Sequence, residues 1–517
     1  MADSNDNKEE NKGGDIFKKL NIKRREAGDS SSEKQEFKSR NSDNKPDKRE
    51  KPIKKDFNPG KRDQETEGEP SFKRKDFKSD KPNKNTLSGK RYSPRKRDDG
   101  LNEEEAIDDR AFETQSDKTT IKTKPAVGKK LPKGKFHLVA TCMQNLEDEL
   151  EQELLDLGAE HIDKQKRAIR FVADLELLYK ANIWLRTAIK VLKPMFHFKA
   201  ENTDDLYASA MEIEWENVFS KDKTFSIDFS VHSENFTHSQ FAALSLKDAI
   251  VDRFRKQGID RPNVAREQPD VRIHLHINGN QVNLSLDSSG DPLFKRGYRR
   301  ERHFAPINEC LAAGLILKTG WRGEVDFLDP MTGSGTIAVE AAMIASNIPA
   351  NFSRTFFAFE NWEDYDQALL SKVLREAQGQ FKPLKCKIFA REIASNNIRA
   401  TRVNINAANM RKSIIMEQED FFKAPKPSDK GIIVMNPPYG ERLEIQEGLP
   451  DFFSKIGSTL KHEYSGWSAW IISSDIESFH NIALKPSKKI PMMNGKLECQ
   501  FRGYDLFDGK LKENKEG

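Results

Sequence analysis

Cysteine is scarce: only Cys142, Cys310, Cys386 and Cys499 occur among 517 residues, and no two form a CxxC pair. That spacing supports neither a disulfide framework nor a zinc cluster, so no metal is expected. Long apolar runs are missing too. No stretch reaches the roughly 18 residues a membrane span needs, and the N-terminus MADSNDNKEE is polar and acidic, unlike a signal peptide. These absences predict a reduced, cytoplasmic protein with no membrane partner.

Aliphatic residues are few at the start of the chain. Residues 1–133 are rich in Lys, Asp, Glu, Asn, Ser and Pro, and cannot bury enough apolar surface to offset the entropy of ordering. A disordered tail is expected. Residues 1–134 hold 36 basic and 28 acidic side chains against 51 and 54 in the remainder, so the tail supplies the net charge of +5. A basic tail on a nearly neutral body suits attraction to a polyanion such as RNA; a solubilising tail without a fixed partner is the other reading. Phe37, Phe57, Phe72 and Phe77 stand among its cations, a mixture suited to phosphates and unpaired bases.

Order is expected from about Phe136. FHLVATC reads as a strand, NLEDELEQELLDLG as a helix with Gly158 as its C-cap, RAIRFVA as a strand, LELLYKANIWL as a helix and AIKVLKPMFHF as a strand. This βαββαβ-like order predicts a small α+β module at 134–200. A second α+β module, 201–300, contains the helix FAALSLKDAIVDRFRKQG and the strands VRIHLHIN and QVNLSLDSS, joined at Gly279-Asn280 by a hairpin turn. Apolar residues at alternate positions between Asp270 and Ser289 predict a sheet with one covered face. From 301 to 517 strands alternate with helices, the rhythm of an α/β fold with a parallel, doubly wound sheet, which binds ligands at the carboxyl ends of its strands.

Three constellations fall at those ends. Asp329-Pro330-Met331-Thr332-Gly333-Ser334-Gly335-Thr336 follows the strand VDFL and opens a helix. Its glycines allow a sharp turn and close backbone approach. A phosphate-binding loop would need a lysine, which is lacking; a carboxylate at the strand end suits a cationic ligand instead. Glu392 ends KIFARE and is placed to accept ribose hydroxyls, or to stand solvated; Asp420 ends IIMEQED, as an adenine-side acceptor or an N-cap. Asn436-Pro437-Pro438-Tyr439 ends GIIVM. Two prolines stop the strand and stiffen the turn. The turn then offers the Asn436 amide oxygen and the Pro437 carbonyl to one –NH2 group, with Tyr439 as a stacking face.

These motifs resemble those of class I, Rossmann-like S-adenosylmethionine methyltransferases that methylate amines, with NPPY as the signature. FHLVATCMQNLEDELEQEL, FKRGYRRERHFAPINECLAAGLI, DPMTGSGTIAVEAA and NPPYGERL together resemble the RlmL family over about residues 135–517. The resemblance implies a ferredoxin-like module, an RNA-binding THUMP domain and a methyltransferase domain making N2-methylguanosine in 23S rRNA, free or in a ribosomal precursor. It implies cofactor contacts from Pro306, in the segment APINE, from Asp329, Met331, Thr332, Gly333, Ser334, Gly335 and Thr336, and from Glu392 and Asp420. The family's ribose strand ends Asp-Ile-Asp; here Glu392-Ile393-Ala394 retains one carboxylate. Some members carry a second methyltransferase domain, which is not expected in a chain ending at Gly517.

The expected reaction is direct methyl transfer to an exocyclic amine on a base drawn out of its stack. Arg296, Arg299, Arg300 and Arg302 form a basic cluster placed to guide RNA, or a solvated linker. A tRNA guanine, a DNA adenine, and a non-catalytic RNA-binding assembly factor are the competing readings.

Overall fold

A computed structural model describes residues 124–125, 131–301, 307–438 and 448–507. The expectations for residues 1–123, Arg302, Pro306 and Tyr439 lie outside the described residues.

The first module comprises β1 (Lys124–Pro125), β2 (Phe136–Cys142), α1 (Glu147–Asp156), β3 (Glu160–Gln165), β4 (Ala168–Ala173), α2 (Leu175–Trp184) and β5 (Ala188–Lys199). From β2 onward this is the expected βαββαβ order. Gly158, with φ +81°, follows the end of α1, where its N–H reaches the Leu155 carbonyl at 2.9 Å. Strand β3 escaped sequence reading because EHIDKQ has no buried residue; at the sheet edge it pairs only with β4 among the described residues. β1 lies within the stretch expected as tail and pairs antiparallel with His197 and Phe196, a contact that needs only main-chain groups.

The second module holds α3 (Thr203–Met211), β6 (Phe225–His232), α4 (Ser239–Lys256), β7 (Val271–Asn278) and β8 (Gln281–Asp287). Asn278 pairs with Gln281 across the expected two-residue turn, where Gly279 takes φ +58°. Ile273, Leu275, Ile277, Val282 and Leu284 turn to one face and pack with Leu206, Leu246, Ile250 and Phe254 of the helices. The two modules share a single sheet, in the order β3-β4-β2-β5-β8-β7-β6, because the long β5 pairs with β2 on one side and β8 on the other.

The third module runs α5 (Glu309–Lys318), β9 (Asp326–Asp329), α6 (Thr336–Ala345), α7 (Gln367–Gly379), β10 (Ile388–Arg391), α8 (Ser395–Ala407), β11 (Ile415–Glu417), β12 (Gly431–Met435), α9 (Leu449–Glu463), β13 (Trp467–Ser473), β14 (Lys488–Asn494) and β15 (Leu497–Asp505). Its sheet has the order β11-β10-β9-β12-β13-β15-β14. The five strands from β9 to β13 are parallel, as expected, and β15 is antiparallel to both its neighbours.

The first and third modules are joined through one apolar core, in which Leu138, Leu146, Leu150 and Phe171 belong to the same cluster as Leu311, Leu315, Ile337 and Ala341. A Cβ on Gly314 would stand 2.5 Å from a Leu146 methyl, so glycine is what lets α5 lie against that leucine. The second module keeps a separate core around Leu206, Trp215 and Phe254.

Candidate active site at the carboxyl ends of the central strands

Strand β9 lies between β10 and β12, with Asp329 level with Ala390 and Leu328 level with Ile433. The chain fills one side of β9 with β10 and β11, then crosses to the other side for β12. That reversal of strand order opens a crevice at the carboxyl ends. Asp329 ends β9, Glu392 follows β10 and Asn436 follows β12, so the three constellations share one edge.

The glycine loop is braced from neighbouring elements. Gly333 and Gly335 take φ of +55° and +82°, and a Cβ on Gly335 would meet Thr401 Cγ2 at 2.9 Å. The Thr332 N–H donates to the Arg391 carbonyl at 2.9 Å, the Gly333 N–H to Glu392 Oε2 at 3.0 Å, and the Thr401 hydroxyl to the Gly333 carbonyl at 2.6 Å. Ser334 and Thr336 hydroxyls lie 3.0 Å apart where α6 begins. Met331 is half-buried against the cluster that holds Leu328 and Phe421. Glu392 also accepts the Ala394 N–H through Oε1 at 3.0 Å. Its carboxylate therefore fixes the loop while each oxygen retains a further lone pair.

Asp329 is fully buried. Its Oδ2 accepts the Thr332 hydroxyl at 2.6 Å, whereas Oδ1 has no donor among the described residues. Burial pushes the carboxyl up to about 7; the Thr332 hydroxyl opposes this and the charge of Glu392 adds to it. Across the crevice edge Pro437 is buried, and Asn436 Oδ1 is buried with no donor among the described residues. Two enclosed, unpaired acceptors at one sheet edge call for an explanation, and a ligand bearing N–H groups or positive charge supplies one. This edge therefore fits an amine-bearing, cationic nucleoside.

Asp420 braces the turn that follows β11. Its Oδ1 accepts the Phe422 N–H at 3.0 Å, and its carbonyl accepts the N–H groups of Lys423 and Ala424.

The basic cluster does not act as a unit. Arg296 is 1% exposed; it donates to the carbonyls of Leu293 and Arg186 and lies 3.5 Å from Glu340, itself bonded by Tyr298 at 2.8 Å. Enclosed in this way it has no path to RNA, which corrects the sequence reading. Arg299 also turns inward, to the Ile307 carbonyl at 2.7 Å, the Thr336 hydroxyl at 3.2 Å and Glu309 at 3.3 Å. Arg300 is exposed.

Sequence reading passed over Thr401 and Asn404 of α8. The available signal was two polar residues on the helix face that buries Ile398 and Ile405.

Comparison with known proteins agrees with this geometry. A putative RNA methyltransferase of Synechocystis sp. is 36% identical over 369 residues, 71% of this chain and 96% of that protein. The chain belongs to the RMKL-like methyltransferase family. The family's methyltransferase domain matches residues 296–502, a THUMP domain matches 200–287 and the RlmL ferredoxin-like domain matches 137–192. This RMKL-like enzyme is thus an S-adenosylmethionine-dependent RNA methyltransferase. Ribosomal RNA large subunit methyltransferase K/L of Shewanella frigidimarina is 35% identical over 376 residues, 72% of this chain and 53% of that protein, so the chain spans about half the length of its K/L relatives. A putative methyltransferase crystallised with S-adenosylhomocysteine superposes with a TM-score of 0.66 at 28% identity, covering 73% of this chain and 100% of that one.

Proposed function

We propose that this methyltransferase forms N2-methylguanosine in 23S rRNA, in the cytoplasm and on free RNA or a ribosomal precursor. The observation that carries the proposal is the buried, unpaired Asn436 Oδ1 on a proline-stiffened turn at the same sheet edge as Asp329. The K/L relatives, named for large-subunit ribosomal RNA, support the substrate.

The cofactor supplies an electrophilic methyl group when bound. Asp329, Met331, Thr332, Gly333, Ser334, Gly335 and Thr336 hold its charged end. Glu392 would receive its ribose hydroxyls through the lone pairs that Gly333 and Ala394 leave free, and Asp420 would accept on the adenine side through the lone pairs that the Phe422 N–H leaves free. Asn436 Oδ1 and the Pro437 carbonyl accept the two N–H bonds of the guanine amine. A lone pair delocalised into the ring is a poor nucleophile. Two acceptors raise its electron density and fix its direction, and such alignment removes roughly 7–11 kcal/mol of barrier in favourable cases. Pro438 stiffens the turn, and Tyr439 offers the flipped base a stacking face. As the new N–C bond forms the methyl–sulfur bond breaks, S-adenosylhomocysteine is the leaving group, and the nitrogen gives up one of its two protons to water. Arg300 contacts an RNA phosphate.

The test is methyl transfer from tritiated S-adenosylmethionine to deproteinised 23S rRNA, precursor particles, tRNA and DNA, with mass-spectrometric mapping of the product. Label as N2-methylguanosine in 23S rRNA or its precursor is expected. Label confined to tRNA, or to adenine N6 in DNA, overturns the substrate; no label on any of them leaves the assembly-factor reading.

A further inference from the structure

Asn404 is 1% exposed on α8 and uses its whole carboxamide. Its Oδ1 accepts the N–H of Arg300 at 2.9 Å and of Glu301 at 3.1 Å. Its Nδ2 donates to the Ser334 carbonyl at 3.1 Å and the Glu301 carbonyl at 3.3 Å. Two lone pairs and two protons are all the group has, so no water or alternative partner completes it. The reverse orientation would set donor against donor and acceptor against acceptor.

The bonds connect two regions of different purpose. On one side is the backbone of Arg300 and Glu301, from which the exposed Arg300 side chain projects. On the other is Ser334, between the two glycines whose positive φ shapes the loop. Thr401, one turn earlier on the same helix face, holds the preceding carbonyl, Gly333 O, at 2.6 Å. One helix face thus sets two successive loop carbonyls, and one of its residues also sets the strip that carries Arg300.

We propose that Asn404 is a positioning residue that couples the RNA-facing strip at Arg300–Glu301 to the glycine loop, so that RNA and cofactor each raise the other's affinity. This rests on the readings of residues 329–336 as the cofactor loop and of Arg300 as an RNA contact. Displacement of the strip pulls on Ser334 O through a single rigid side chain, and linkage requires the effect to be equal in both directions.

The full chain is titrated calorimetrically with S-adenosylhomocysteine, alone and with deproteinised 23S rRNA present. The rRNA is expected to tighten binding roughly fivefold or more. In Asn404→Leu that factor falls to near one, whatever the change in affinity without RNA. A factor retained in folded Asn404→Leu, or absent from the unaltered protein, overturns the coupling. Failure of the unaltered protein to bind S-adenosylhomocysteine at all overturns the cofactor reading itself, a separate outcome. A measurement on the unaltered protein covers the case in which the variant does not fold: S-adenosylhomocysteine is expected to slow hydrogen exchange at the Arg300 and Glu301 amides. Unchanged exchange there overturns the proposal.

Discussion

The buried carboxylates Glu309 on α5 and Glu340 on α6 and the buried carboxylate beside the glycine loop are answered differently. Glu340 and Glu309 each face a guanidinium, Arg296 at 3.5 Å and Arg299 at 3.3 Å. Asp329 is equally enclosed, faces no cation among the described residues, and keeps Oδ1 unpaired. The chain neutralises its own charge where modules meet and leaves a charge uncompensated where a ligand arrives. The first arrangement serves the fold and the second serves binding.

The largest effect tests the first half of that contrast. Arg296→Met leaves Glu340 buried beside a neutral side chain, and is expected to cost about 3–5 kcal/mol of stability in denaturant unfolding. Unchanged stability would show that the pair holds nothing together. Next, Asn436→Ala removes an acceptor without a protein partner. Turnover should fall roughly 10²–10³-fold, by analogy with loss of one preorganised polar group in other active sites, with the unfolding midpoint and S-adenosylhomocysteine affinity kept.

A smaller effect follows from Asp329. Its carboxyl is raised to about 7 from an ordinary 3.8, so in the free protein it is protonated below about 7. A cationic ligand needs it ionised. Cofactor affinity, measured by calorimetry, should therefore fall as pH drops through 7, by at most about tenfold per pH unit, and Asp329→Asn should be weaker and flat over that range. Smallest is Arg300→Ala: rRNA affinity is expected to drop modestly, the slope of log affinity against log salt to lessen by about 1, and stability to stay the same.

Much of the scaffold was legible because its signals are local. The NPP turn follows from proline's fixed φ and missing N–H, and the strand–glycine loop–helix unit from glycine's freedom and the helical period. The order of elements around Asp329, Glu392 and Asn436 followed from those. What escaped reading depended on remote partners. Strand β3 shows no apolar alternation because neither of its faces is buried. Asp420 offered two roles with the same local sequence, and only the fold shows its Oδ1 accepting the Phe422 N–H at 3.0 Å.

By itself, the sequence determined where the chain turns, where its strands end and which polar groups stand at those ends, since these properties belong to a few consecutive residues. Only the tertiary structure decided that Arg296 is a buried strut while Arg300, four residues on, meets solvent. It also decided that the first and third modules share a core and that Asn404 grips a loop 70 residues earlier. Burial and hydrogen-bond partnership are set by chain distant in sequence, and no local pattern encodes them.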